Sequence, residues 1–379
     1  MSVKKVKSFL TPGEYYFSGN EAAAYGAISA GCNFYAGYPI TPSTEIMETI
    51  AEKFPSLGRV FIQMEDELGS IAAVIGASWA GARSMTATSG PGLSLMMEGI
   101  GYGAFTETPF LLIDVQRAGP GTGQATRVAS GDIMQVKWGS HGDYQVIALS
   151  PWSCQDMYDF TIKGFNLAEK YRVPVFIMAE EAVGHLRERI SVKEEVEIFS
   201  REKRDRKRPF GTKEIDGVPS MPSFGEGARL LVTGSTHDEM GYRKTDDGDV
   251  HQKLVKRINL KILNHKDEIT ELEAYFMDDA EIAIICYGFT ARSALFATQQ
   301  LRKEGKKVGM VRLKTLWPFP DNKLKKLLAG VKDIFVPEMN MGQVASEVKK
   351  ATLSKIITYN QTNGEIIHPH VIIKHLKEL

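Results

Sequence analysis

Alternation is the feature that most constrains this chain. Between residues 17 and about 180, short apolar runs alternate with stretches of helical length. The runs are "NFYAGY" (33–38), "RVFIQM" (59–64), "SMTATS" (84–89), "FLLIDV" (110–115), "YQVIAL" (144–149) and "VPVFIMA" (173–179). Between them lie Ala-, Met- and Leu-rich segments such as "ELGSIAAVIGASWAG" (67–81) and "PWSCQDMYDFTIKGFNLAEKY" (151–171). Strands that are apolar almost throughout bury both faces, and the intervening helices cover them. The expectation is α/β, with a mostly parallel sheet. Residues 191–262 lose the rhythm and read as an irregular connector with one helix near 251–265. The alternation returns in "EIAIICYG" (281–288), a helix from Thr290, "KKVGMVRLK" (306–314) and "VKDIFVPEMNMGQ" (331–343). The expected division is therefore 1–190, 191–262 and 263–379. A length of 379 residues suits two or three cores.

Charge narrows the function classes. Lys+Arg and Asp+Glu are both 46, so no global field recruits nucleic acid or an acidic membrane. "REKRDRKR" (201–208) mixes acids with bases and lacks interleaved aromatics, so it reads as a solvated linker. Cys32, Cys154 and Cys286 form no C-x-x-C pair, which excludes a disulfide framework and a locally encoded zinc or iron–sulfur site. The basic N-terminus has no apolar signal region, and no apolar run approaches the roughly 20 residues that span a bilayer. A cytoplasmic setting is expected.

Ligands of open α/β sheets bind beyond the carboxyl ends of the strands. Four consecutive strand ends carry chemistry here: "PITPSTE", "EDELG", "SGPGLS" and "QRAGPGTGQAT". In the first, Thr41 is placed as N-cap, Pro42 at the first helical position and Glu45 in the first turn. The prolines there either build a well-capped helix or hold the Thr41 hydroxyl towards a ligand. Glu65, Asp66 and Glu67 open the next helix, and dipole complementarity accounts for one or two of them but not three. "SGPG" lacks the third glycine of a dinucleotide fingerprint and reads as a tight strand-to-helix turn. Arg117, at the end of a buried strand, needs an anionic partner: an internal acid or a substrate carboxylate. His141 and His237 each sit beside an Asp and read as structural pairs. No G-x-S-x-G occurs to support triad chemistry.

Taken together, "AGYPITPSTEI", "QMEDELG", "MTATSGPGLSLM", "TETPFLLIDVQRAGPGTGQ", "GSHGDYQVIALSP", "VTGSTHDEMGY", "WPFP" and "PEMNMGQ" resemble the alpha subunits of 2-oxoacid:ferredoxin oxidoreductases. The 2-oxoglutarate members (2-oxoglutarate synthase) are most similar, and the resemblance runs nearly end to end. It implies a thiamine-type pyrimidine-binding domain on a parallel sheet, followed by a transketolase C-terminal-like α/β domain. It implies thiamine diphosphate shared with a beta subunit that carries the GDG-type diphosphate motif, Mg2+ and an iron–sulfur cluster. Coenzyme A is implied as co-substrate, ferredoxin as electron partner, and gamma and delta subunits as further partners. This chain has "GD" pairs, as at 131–132 and 248–249, but no GDG, which fits a half-site.

By the same resemblance, Glu67 falls at the glutamate that hydrogen-bonds the pyrimidine N1′ and so favours the tautomer that removes the C2 proton. Thr41 and Arg117 fall at the residues that meet the substrate carbonyl and carboxylate. Thr126 falls near the part of the pocket that sorts side chains. The loop reads "GPGTGQATR" where the 2-oxoglutarate members are expected to read "GPSTGQPT". That change adds Arg127, which either meets a distal substrate carboxylate or faces solvent. The implied reaction is oxidative decarboxylation of a 2-oxoacid, 2-oxoglutarate first, to acyl-CoA and CO2, or its reversal. Branched-chain 2-oxoacids and pyruvate are the alternative substrates. A thiamine enzyme without ferredoxin and a non-catalytic α/β scaffold are the rival classes.

Overall fold

Residues 2–201, 203 and 205–378 of the computed structural model are described here. The apolar runs become one sheet whose strands lie in the order Thr315–Trp317, Ile147–Leu149, Pro174–Glu180, Phe110–Ala118, Ser84–Thr88, Phe34–Gly37, Val60–Gln63. From Ile147–Leu149 to Val60–Gln63 every pairing is parallel. All nine residues of Phe110–Ala118 and all seven of Pro174–Glu180 are buried. Alternate side chains feed two cores. Leu112, Phe176 and Met178 pack with Ile71, Val74, Leu93 and Met96 of the helices Glu67–Trp79 and Gly90–Phe105. Leu111, Ile113 and Val115 pack on the other face with Ala23, Met157 and Phe165 of Gly19–Ser29 and Cys154–Tyr171.

The second sheet runs Leu272–Tyr275, Val308–Leu313, Ile282–Cys286, Asp333–Glu338, Lys355–Asn360, parallel except for its first pairing. Two features depart from the sequence reading. Thr315–Trp317 leaves this sheet and pairs antiparallel with Ile147–Leu149, closing the edge of the first one. Arg187–Val192 and Glu195–Ser200 are strands, paired with Gly13–Ser18 and Ser2–Lys7, so chain that reads as irregular from 191 is partly sheet. The connector helix spans Gly248–Leu263. It is tied down by charge: Arg257 and Lys261 both reach the fully buried Glu107, at 2.5 and 2.7 Å. Among the described residues, no helix is long and apolar enough to cross a membrane.

Candidate active site

The loop after Phe34–Gly37 is held from two sides. Asn20 Nδ2 donates to Pro42 O and to Glu45 Oε2, each at 2.8 Å. Arg117 Nη1 donates to Thr41 O at 2.9 Å. Thr41 is not the helix cap: the helix begins at Thr44, with Ser43 at the N-cap. The Thr41–Pro42 peptide is cis, and the chain turns once more, through a Ser43 N–H bond to Ile40 O, before the helix starts. Glu45 does lie in the first turn. Thr41 is exposed and its carbonyl is engaged, while its hydroxyl has no protein partner among the described residues.

The three acids separate cleanly. Glu65 is exposed. Asp66 is the N-cap of the Glu67 helix, its Oδ1 accepting from Gly69 N–H at 2.7 Å. Glu67 is buried and makes no ion pair among the described residues. Burial, with the Asp66 carboxylate beside it, pushes the Glu67 carboxyl above the usual range. A Cβ on Gly92 would overlap both Glu67 Oε1 and Thr88 Oγ1, so glycine in "SGPG" is required by this close approach. Thr88 and Ser89, at the end of the next strand, are fully buried with hydroxyls that lack partners among the described residues.

Arg117 ends the Phe110 strand, 8% exposed, with its Nε unpartnered. Among the described residues no carboxylate lies in salt-bridge contact with it, and its Nη1 is spent on the Thr41 carbonyl. Beyond it the chain folds back as Gln124–Val128, antiparallel to the strand end, with Gly119–Pro120 cis at the turn. Thr126 and Arg127 on that arm are exposed. The Gln124 amide oxygen and the Arg127 stem lie against Gly364, in a loop of the second sheet's region. Thus Thr41 and Arg117 meet directly, and Glu67 opens the helix after the strand next to Thr41's, at the same edge of the sheet, while Thr126 and Arg127 are exposed on the arm beyond Arg117.

His141 is exposed and lies 3.7 Å from Glu98, and His237 is buried and bonds Ser235 O, so neither pairs with its neighbouring Asp. The sequence reading passes over Asp114 and Asp132. Asp114 is fully buried in the strand, with both oxygens unpartnered. The signal is visible in "FLLIDV", since an acid inside an otherwise apolar buried run demands a reason.

This fold and site define a class. The pyruvate flavodoxin/ferredoxin oxidoreductase family model, thiamine diphosphate-binding, matches residues 25–257, and the pyruvate:ferredoxin oxidoreductase core domain II model matches 280–372. The chain belongs to this family of 2-oxoacid oxidoreductases. Among its relatives, 2-oxoglutarate synthase subunit KorA of Methanocaldococcus jannaschii is 52% identical over 359 residues, covering 93% of this chain and 96% of the relative. Ketoisovalerate oxidoreductase subunit VorB of Methanothermobacter marburgensis is 35% identical, covering 95% and 96%. The solved 2-oxoglutarate:ferredoxin oxidoreductase from Magnetococcus marinus, with 2-oxoglutarate, coenzyme A and succinyl-CoA bound, superposes with a TM-score of 0.92 at 34% identity. That match covers 96% of this chain and 65% of the solved one.

The residues present fit the aminopyrimidine of thiamine diphosphate. A buried carboxyl without a cation, next to unpartnered buried hydroxyls and a glycine-cleared approach, is suited to a flat polar ring. Further along, Ser130 fixes the chain that follows the arm. Asn340 Nδ2 donates to Ser130 O at 2.7 Å and Ser130 N–H donates to Met339 O at 3.2 Å, so the second sheet clamps the loop that leads to Asp132.

Proposed function

We propose that this chain supplies the pyrimidine-binding half of a thiamine diphosphate site in a coenzyme A-acylating 2-oxoacid:ferredoxin oxidoreductase, with 2-oxoglutarate as the favoured substrate. The observation that carries the reading is the convergence of an uncompensated buried Glu67 with the Thr41–Arg117 pair at neighbouring strand ends. When bound, the cofactor supplies the nucleophile and electron sink for decarboxylation. Glu67 holds a proton at the pyrimidine N1′, a role that its raised proton affinity suits. Arg117, anchored through one nitrogen to the Thr41 carbonyl, offers its remaining N–H groups to the C1 carboxylate. The free Thr41 hydroxyl donates to the reacting carbonyl. Thr126 and Arg127 sit where the far end of the substrate passes the rim.

The diphosphate, Mg2+ and the iron–sulfur cluster belong, on this reading, to a beta subunit, with ferredoxin as acceptor and gamma and delta chains as further partners. The division into 1–190, 191–262 and 263–379 assigns catalysis to the first unit. Branched-chain 2-oxoacids are the second reading, supported by the ketoisovalerate relative and by the altered "GPGTGQATR" loop. The test is coenzyme A-dependent dye reduction by the purified alpha–beta complex over a panel of 2-oxoacids. Turnover highest with 2-oxoglutarate supports the first reading; turnover confined to 2-oxoisovalerate replaces it, and none with any 2-oxoacid rejects both.

A further inference from the structure

Each carbonyl of the turn that carries Thr41 has a donor. Ser43 closes the turn, donating from its N–H and its Oγ to Ile40 O, each at 2.9 Å. Arg117 Nη1 takes the Thr41 carbonyl at 2.9 Å, and Asn20 Nδ2 takes the Pro42 carbonyl at 2.8 Å. Ser43 O accepts from Ile46 N–H at 3.1 Å, where the helix begins. Consecutive peptide planes are thus pinned by side chains from different elements, the Phe110–Ala118 strand and the Gly19–Ser29 helix. Pinned planes on both sides of Thr41 set the direction of its Cα–Cβ bond. Its hydroxyl, which has no protein partner among the described residues, is therefore aimed by the turn.

Arg117 cannot hold this turn by itself. The same guanidinium is offered to the substrate carboxylate, so its bond to Thr41 O is the tether that binding can disturb. A lasting tether has to come from a group that substrate does not reach. Asn20 is such a group, fully buried in the first turn of its helix. Its amide has one possible orientation. Nδ2 faces the Pro42 carbonyl and the Glu45 carboxylate, both at 2.8 Å, and each of these only accepts. Asn20 Oδ1 is left buried with no partner among the described residues, and a Cβ at Gly184 would come within 2.9 Å of it. An unpaired buried oxygen costs stability, and a leucine of similar branched shape would avoid that cost. Stability alone gives no reason for an amide here. A donor for Pro42 O does.

We propose that Asn20 is a positioning residue for the reaction: through the Pro42 carbonyl it keeps the Thr41 hydroxyl aimed at the substrate carbonyl while Arg117 serves the carboxylate. The inference rests on the reading of Thr41 and Arg117 as substrate-contacting residues. Asn20 itself touches neither substrate nor cofactor, and no bond or proton changes place at it.

The test sets Asn20→Leu against the unmodified alpha–beta complex in coenzyme A-dependent dye reduction, with turnover counted per bound thiamine diphosphate and denaturant melts run alongside. Leucine exchanges one unpaired buried oxygen, Asn20 Oδ1, for another, Pro42 O, so the melt should move little. A misaimed hydroxyl should lower kcat by about 10- to 100-fold for every 2-oxoacid that the unmodified complex turns over. KM should change less, because Arg117 still holds the carboxylate. Gly184→Ala, which keeps the amide and presses on Oδ1, should give the same loss at smaller size. Unchanged kcat in a folded Asn20→Leu complex overturns the proposal, as does a loss that vanishes when turnover is counted per bound cofactor. If Asn20→Leu does not fold, unchanged kcat in Gly184→Ala overturns it instead. Normal turnover in Thr41→Val and Arg117→Lys removes the reading of the turn itself. If those two are impaired and Asn20→Leu is not, only the role of Asn20 falls.

Discussion

The helix Gly90–Phe105 has a buried glutamate at each end, and the two are treated in opposite ways. Beyond its C-terminus, Glu107 is bonded by Arg257 and Lys261, with the Arg172 charge nearby, and these cations hold its carboxyl far below the usual range despite full burial. Glu107 also adopts a left-handed backbone, φ 51, a conformation that persists only where surrounding contacts impose it. Beside the N-terminus, Glu67 meets no cation among the described residues and its proton affinity rises. One acid has been neutralised by its neighbours and fixes the connector to the sheet. The other has been left with its desolvation unrelieved, the usual condition of a group that must exchange a proton with something bound.

The largest test of this contrast is stability. Glu107→Gln leaves Arg257 and Lys261 buried without an anion and should lower the unfolding free energy by about 3–5 kcal/mol, read from denaturant melts. Glu67→Gln should leave the melt unchanged or improved, because an amide is easier to bury than an unpaired carboxylate. The acid limb sharpens the point. Because the Glu107 pKa is depressed on folding, its contribution is present above the unfolded value near 4.5 and lost as pH falls below it. Glu180, raised to about 8 by burial, has the opposite sign: folding is favoured while it is protonated and weakened as pH rises from about 4.5 through 8. Glu180→Gln should flatten that alkaline slope in pH-dependent melts. A Glu107→Gln protein as stable as the parent breaks the comparison at its first step.

Arg117→Lys comes next, since lysine lacks the planar fork. The expected loss is on the order of 2–4 kcal/mol in kcat/KM for every 2-oxoacid alike, and a loss confined to one substrate contradicts it. Glu67→Gln should reduce turnover by at least about 100-fold while cofactor binding to the complex survives. Normal turnover in that variant, with Glu65→Gln inactive, would move the role to the exposed acid. Arg127→Ala is the smallest effect, no more than about 0.5 kcal/mol in stability. If its guanidinium reads a distal carboxylate, only 2-oxoglutarate suffers, whereas unchanged specificity assigns it to the surface.

The parallel strands were legible because continuous apolar runs leave few alternatives, and Phe110–Ala118 and Pro174–Glu180 bury every residue. That Thr41, Glu67 and Arg117 lie along one edge of the first sheet was legible for a topological reason, as the carboxyl ends of parallel strands share an edge. Local chemistry was harder. "ITPSTE" spells a cap, yet Ser43 is the N-cap, because Asn20 and Arg117 reach in from distant segments to fix the turn. The choice among Glu65, Asp66 and Glu67 could not be made from spacing alone, since all three open one helix and only packing shows which is buried. Strands Arg187–Val192 and Glu195–Ser200 are half-exposed ribbons whose partners are at the far N-terminus, and no local pattern announces such pairing. Asp132 needed the second sheet to reveal it, because its loop is held from Met339 and Asn340.

The strand Thr315–Trp317 has a consequence for anyone who wants to cut this protein. It fills the border of the first sheet next to Ile147–Leu149, and the Trp317 indole donates to Ile133 O at 2.9 Å, within the helix that Asp132 caps. A gene fragment ending near residue 262 would leave Ile147–Leu149 as a bare apolar border open to pairing with other chains. The portable unit is therefore not the sequence segment that bears the acid and the arginine. Any transplant or fusion of this half-site has to bring along a tripeptide encoded more than a hundred residues later.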